Sequence, residues 1–184
     1  MKNETSERQL LWMKTGIAAV LVLLAAILRI LPHPWNFTPI GAMALFSGSV
    51  FKERWLMFTF PLLALFAGDA VVGFHKLMLA VYLSFSVSVA IGMGIGENRK
   101  VFRIASGTLL GAIQFFLVTN FAVWVVFTTY PKSFAGLLAC YAAGVPFLWN
   151  TLAGDALYAT LLFGGYALAE RLLARNLPVA DVSR

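Results

Sequence analysis

Charged residues are scarce in this sequence. Fourteen Lys and Arg with 8 Asp and Glu make up 12% of 184 residues, where a soluble domain carries about 25%. A water-exposed surface cannot be built from that supply. Cysteine is scarcer still: Cys140 stands alone, so no disulfide forms within the chain. There is no zinc-ligand spacing, no Walker-type loop and no Gly-x-Ser-x-Gly elbow, so the usual signatures of a metal site, NTP hydrolysis or serine hydrolysis are missing. What the sequence does have is apolar. Sixty per cent of it is hydrophobic, with 16 Phe, and the mean hydropathy is +0.83. Disorder is excluded by the same figures, and an integral membrane protein remains.

A membrane span needs ~20 mostly apolar residues to cross ~30 Å of hydrocarbon. Cutting the chain at its charges gives six spans: 12–31, 38–51, 55–72, 77–95, 104–128 and 146–168. A further apolar stretch, 134–141, reads as a short re-entrant or interfacial helix. The expected fold is therefore all-α and polytopic, a single transmembrane domain over 1–184. In it, 1–11 and 169–184 form tails around a bundle at 12–168. Six spans place eleven cations on one side (Lys2, Arg8, Lys14, Lys52, Arg54, Arg99, Lys100, Arg103, Arg171, Arg175 and Arg184) and three on the other (Arg29, Lys76 and Lys132). The net charge of +6 is thus an orientation signal that puts both termini in the cytoplasm, and nucleic acid is not an expected partner. Glu4 and Glu7 ahead of the first span argue against a cleaved signal peptide.

A polar side chain inside a bilayer needs a partner or a wet cavity, so its position carries information. Asp69, Asn120, Trp124, Asn150, Asp155 and Tyr158 all fall toward the outer side of their spans. Arg29, His33, Asn36, Thr38, His75, Tyr130 and Lys132 lie in outer loops, and Gln114 near mid-span is the main exception. A channel needs polar groups along its whole length, whereas an outward pocket needs them on one side. The expected ligand-binding set is Asn120, Trp124, Asp155, Tyr158, Asn150, Asp69, Asn36 and Tyr130. Residues four apart share a helix face, so Asn120 and Trp124 point together. Asp155 pairs with Tyr158, and Asn150 is the weaker member.

The phrase Ala-Gly-Asp-Ala occurs at 67–70 and again at 153–156. On spans of opposite direction this fits a three-plus-three inverted repeat. Small residues beside each Asp let a neighbouring helix approach. Both carboxyls are open to a structural or a ligand role, and a structural Asp69 pairs with Arg29 or His75. The segment 32–39 holds three prolines in eight residues, which forbid a helix and stiffen the chain. It reads as an interfacial turn or a pocket cap. His33 and His75 sit on different loops without ligand spacing, so no metal and no cofactor is expected. Cys140 reads as a small buried hydrophobe. Ala90, Gly92, Gly94 and Gly96 form small-xxx-small pairs suited to close packing, within the chain or against a partner.

The runs Pro34–Ala42, Gly68-Asp69 and Thr119–Trp124 resemble an uncharacterised bacterial family of small multi-span membrane proteins. Tyr130-Pro131, Gly136-Leu137, Cys140-Tyr141, Pro146-Phe147 and Gly154-Asp155 continue the likeness over roughly 29–168. More distantly, the size, span count and outward polar pocket are similar to the substrate-binding S subunits of energy-coupling-factor vitamin transporters. That resemblance implies docking to a shared transmembrane subunit with ATPases. The S-subunit docking motif is an Ala-xxx-Ala pair on the first helix, but here Ala18, Ala19, Ala25 and Ala26 include no pair four apart.

The expected function is a substrate-binding subunit or small transporter in the bacterial inner membrane. It would capture a vitamin-like solute, cationic or heteroaromatic to suit two acids among aromatics. The alternative is a non-transporting scaffold that uses the glycine face of the fourth span. An outer-leaflet enzyme ranks lowest, because no nucleophile–base pair is recognisable.

Overall fold

The computed structural model describes residues 2–28 and 34–176, the side chains of residues 2–7, 72 and 176 excepted. Among the described residues all regular structure is helical, with no strand. The helices are α1 (Lys2–Leu28), α2 (Ile40–Val50), α3 (Arg54–Val72), α4 (Met78–Ile95), α5 (Val101–Val126) and α6 (Phe134–Asn176). All but α2 are long and apolar enough to cross a membrane.

At 11 residues α2 is about 16 Å long, half of what a span requires. It is also the centre of the bundle, since every α2 residue except Gly41 is buried. Around it pack Ala18, Val22 and Ala25 of α1, Leu65 of α3, Val89 of α4 and Phe163 with Tyr166 of α6. Lipid tails are as apolar as these side chains, so close packing and internal hydrogen bonds must hold the helices together. Gly48 and Gly92 provide the closest approach: a Cβ on Gly48 would overlap the Val89 carbonyl, and one on Gly92 the Leu45 carbonyl. The glycine face of α4 is therefore used, at Gly92, within the chain.

The expected short helix at 134–141 is not separate. It is the first part of α6, which runs 43 residues without a break, about 64 Å. Pro146 lies inside it, lacking the N–H that would reach back one turn. A proline costs a helix one bond and a steric adjustment and does not end it. Pro61 sits inside α3 in the same way.

Lys14, in the middle of α1 and in the first third of its apolar stretch Arg8–Leu28, meets Glu170 near the end of α6 at 2.9 Å, so the beginning of that stretch and the end of α6 share one face of the bundle. Arg99, close to Glu170 at 3.6 Å, brings in the α4–α5 connection, and Arg99 Nη2 donates to Ser49 O at the end of α2, 3.3 Å. The end of α2 lies on that face as well, so the segment at 34–39 and α2 together lead the chain to it. We term this face the basic end.

Candidate functional site

The expected pocket residues fall into separate groups. The first group joins the proline-rich segment to α6. The Pro34 carbonyl accepts Phe37 N–H at 3.0 Å, and Asn36 has φ +61°. This closes a tight turn whose third residue is left-handed, a conformation Asn tolerates. Asn150 Nδ2 donates to Trp35 O, 3.0 Å. Phe37 meets the Tyr158 ring edge-on at 6.0 Å, and Gly154 lets the Phe37–Thr38 backbone lie directly on α6.

Asp155 completes the joint. Its Oδ1 accepts Ala42 N–H at 3.0 Å, in the first turn of α2. The first N–H groups of a helix have no partner within it, and α2 has no side-chain cap of its own. A carboxyl from α6 supplies the acceptor, where the helix dipole also favours it. Gly41 makes room, because a Cβ there would overlap the Asp155 carboxyl. The gap that Asp155 shares with Ser88 and Thr108 has no room for a water.

The second group joins α5 to α6. Asn120 Nδ2 donates to Phe116 O of its own helix, 2.8 Å, and its amide fills the space over Gly144. Cys140 Sγ lies 3.3 Å from Asn120 O. Trp124 Nε1 donates to Pro131 O, 2.8 Å. Lys132 caps α5 by donating to Trp124 O, to Val125 O at 3.1 Å and to Phe127 O at 2.7 Å. Asn120 thus packs on α6 eleven residues before Asp155, about 16 Å along the helix axis. Asn120 and Trp124 do not meet Asp155 in one cavity.

Asp69 is apart from both groups. Its Oδ2 accepts the Tyr82 hydroxyl at 3.0 Å, tying α3 to α4. Arg29 and His33 lie outside the described residues, so the Arg29–Asp69 pair does too. His75 Nδ1 accepts Leu77 N–H, 3.2 Å, in an exposed turn. Tyr130 is half-buried in the α5–α6 connection. The two Ala-Gly-Asp-Ala phrases therefore play unlike parts, Asp69 holding a side chain and Asp155 a helix start. No group of three metal-ligating side chains occurs among the described residues.

A cavity of about 490 Å3 opens instead at the basic end, between the middle of α1 and the ends of α2, α4 and α6. This volume is in the ~300–1,000 Å3 range of small-molecule sites. Lys14, Lys52 and Arg99 line it against Glu97 and Glu170, with Ser49 and Tyr166, so three cations face two carboxylates. Arg99 is held on several sides: by Glu170, by the Ser49 carbonyl and over the Tyr166 ring at 5.3 Å. Lys52 and Glu97, 3.9 Å apart and both well exposed, add little to stability. Sequence reasoning counted these residues for orientation and missed their convergence. The signal was the two acids, Glu97 and Glu170, set among the basic clusters of one face.

The profile of a family of unknown function, DUF6580, matches residues 9–178. No curated protein and no solved structure matches the chain.

Proposed function

The chain belongs to the DUF6580 family, and we propose that it is a solute-binding membrane protein of the small-transporter kind, placed in the bacterial inner membrane. The observation that carries this reading is the basic-end cavity. A preformed space of about 490 Å3 holds an arginine fixed by a carboxylate, a carbonyl and an aromatic ring. A positioned guanidinium with a lysine beside it suits a small organic solute bearing a carboxylate or phosphate. The expectation of a cationic or heteroaromatic solute rested on Asp69 and Asp155, whose carboxyls are engaged by Tyr82 and the α2 backbone.

The positive-inside rule turns the basic end toward the cytoplasm, which makes this an inward-open form. Capture from outside then needs a second state in which the packed outer half opens. Energy would come from an ion gradient or a partner, a shared ATPase-bearing subunit among the candidates. Ala18 and Ala25 of α1 are buried in the core, so such a partner would meet other residues of α1.

The test is to purify the full chain in mild detergent, release bound small molecules by denaturation and identify them by mass spectrometry. An acid or phosphate ester should co-purify near one per chain and be lost from folded Lys14→Gln and Arg99→Gln variants. Its retention by both variants, or a bound cation in its place, sinks the reading.

A further inference from the structure

Near residues 116–124 of α5 and 140–144 of α6 the two helices are knit together. Tyr141 OH donates to Leu117 O at 2.9 Å, its ring lies 5.6 Å from Phe116, and Asn120 fills the space over Gly144. Toward the basic end they part and leave a groove of about 680 Å3. Its walls are apolar and its floor is small, with Leu109, Phe163, Ala105, Ala156 and Gly164 among them. The groove ends at Arg99 and Arg171, and no carboxylate lines it. Arg171 makes no ion pair among the described residues.

We propose that this groove binds one anionic phospholipid of the leaflet at the basic end, an acyl chain lying between α5 and α6 and the phosphate on Arg171 and Arg99. The depth fits. From Val101 to Leu109, along the α5 wall, the rise is about 12 Å, close to one leaflet's share of a ~30 Å core. The charge fits as well, since cations at the mouth of an apolar cleft between spans are the features that hold anionic headgroups. A packed helix from a second copy would fill the apolar length and leave Arg171 without a counter-charge. Arg99 lines both this groove and the solute cavity, whereas Arg171 and Gly164 line the groove alone, so changes at these two residues test the lipid site separately.

The experiment titrates the detergent-purified full chain with dioleoylphosphatidylglycerol and, in parallel, dioleoylphosphatidylcholine, counting adducts by native mass spectrometry. The wild type should retain one phosphatidylglycerol at least about tenfold more tightly than phosphatidylcholine. The exposed change Arg171→Gln should bring the two lipids near parity. Gly164→Leu should weaken both about tenfold by filling the groove, and because a Cβ at Gly164 meets no atom within 4 Å the fold tolerates it. Equal retention of the two lipids by the wild type overturns the proposal, as does a preference unchanged in both variants. A lipid-free dimer that Gly164→Leu dissociates would assign the groove to a second copy instead.

Discussion

Asp155 is the residue on which the start of α2 depends. Removing its carboxyl leaves Ala42 N–H buried without the acceptor that Oδ1 provides, a loss of about 1–3 kcal/mol. Asp155→Ala should therefore lower the temperature at which the detergent-solubilised protein loses its monodisperse peak. Gly41→Ala should do the same from the other side, since the new methyl and the carboxyl compete for one space. Equal thermal stability of both variants with the wild type would show that the joint between α2 and α6 is not structural. Asn36 offers a separate check on the turn before α2. With φ at +61° it should accept Gly at little cost, while Val should cost about 1–2 kcal/mol, read in the same melting assay.

At the scale of elements, α2 stands out as a helix that cannot cross a membrane alone. Non-helical backbone at membrane depth survives only where protein covers it, and residues 37–39 meet that condition, with the Phe37–Thr38 backbone lying on α6 at Gly154. The close contact of α2 with α4 has no room to spare at Gly92. Gly92→Val should force the helices apart and remove most folded protein, whereas Gly94→Val, where nothing lies within 4 Å, should not. Comparable yields from the two variants would refute the tight crossing. The α5–α6 connection depends on Lys132, whose ammonium reaches three carbonyls at the end of α5. Lys132→Met should cost about 1 kcal/mol through the lost cap and dipole interaction, measured as a lower melting temperature.

For the whole molecule, the ion pair between Lys14 and Glu170 puts the beginning of the apolar stretch of α1, Arg8–Leu28, and the end of α6 on one face, and the positive-inside rule predicts which compartment that face meets. Reporter fusions after Lys52 and Arg99 should report the cytoplasm, and fusions after Pro34 and Lys132 the exterior. The reverse pattern would invert the proposed direction of access to the basic-end cavity.

Composition and the spacing of charges were enough to identify a helical membrane protein and the approximate limits of most spans, because the cost of charge in hydrocarbon acts locally along the chain. They also singled out the residues of 34–42 and 153–156. What those residues do was decided in three dimensions. Asn150, Gly154 and Asp155 lie more than a hundred positions from the segment they hold, and no local period encodes that distance. Asn120 and Trp124 were expected to face a pocket with Asp155; Asn120 instead packs over Gly144, a part of α6 that the length of this one helix separates from Asp155, and Trp124 bonds the α5–α6 connection at Pro131. Lys14, Arg99 and Glu170 look like flanking charges in the sequence, and only the packing of the middle of α1 against the ends of α2, α4 and α6 brings them around one space.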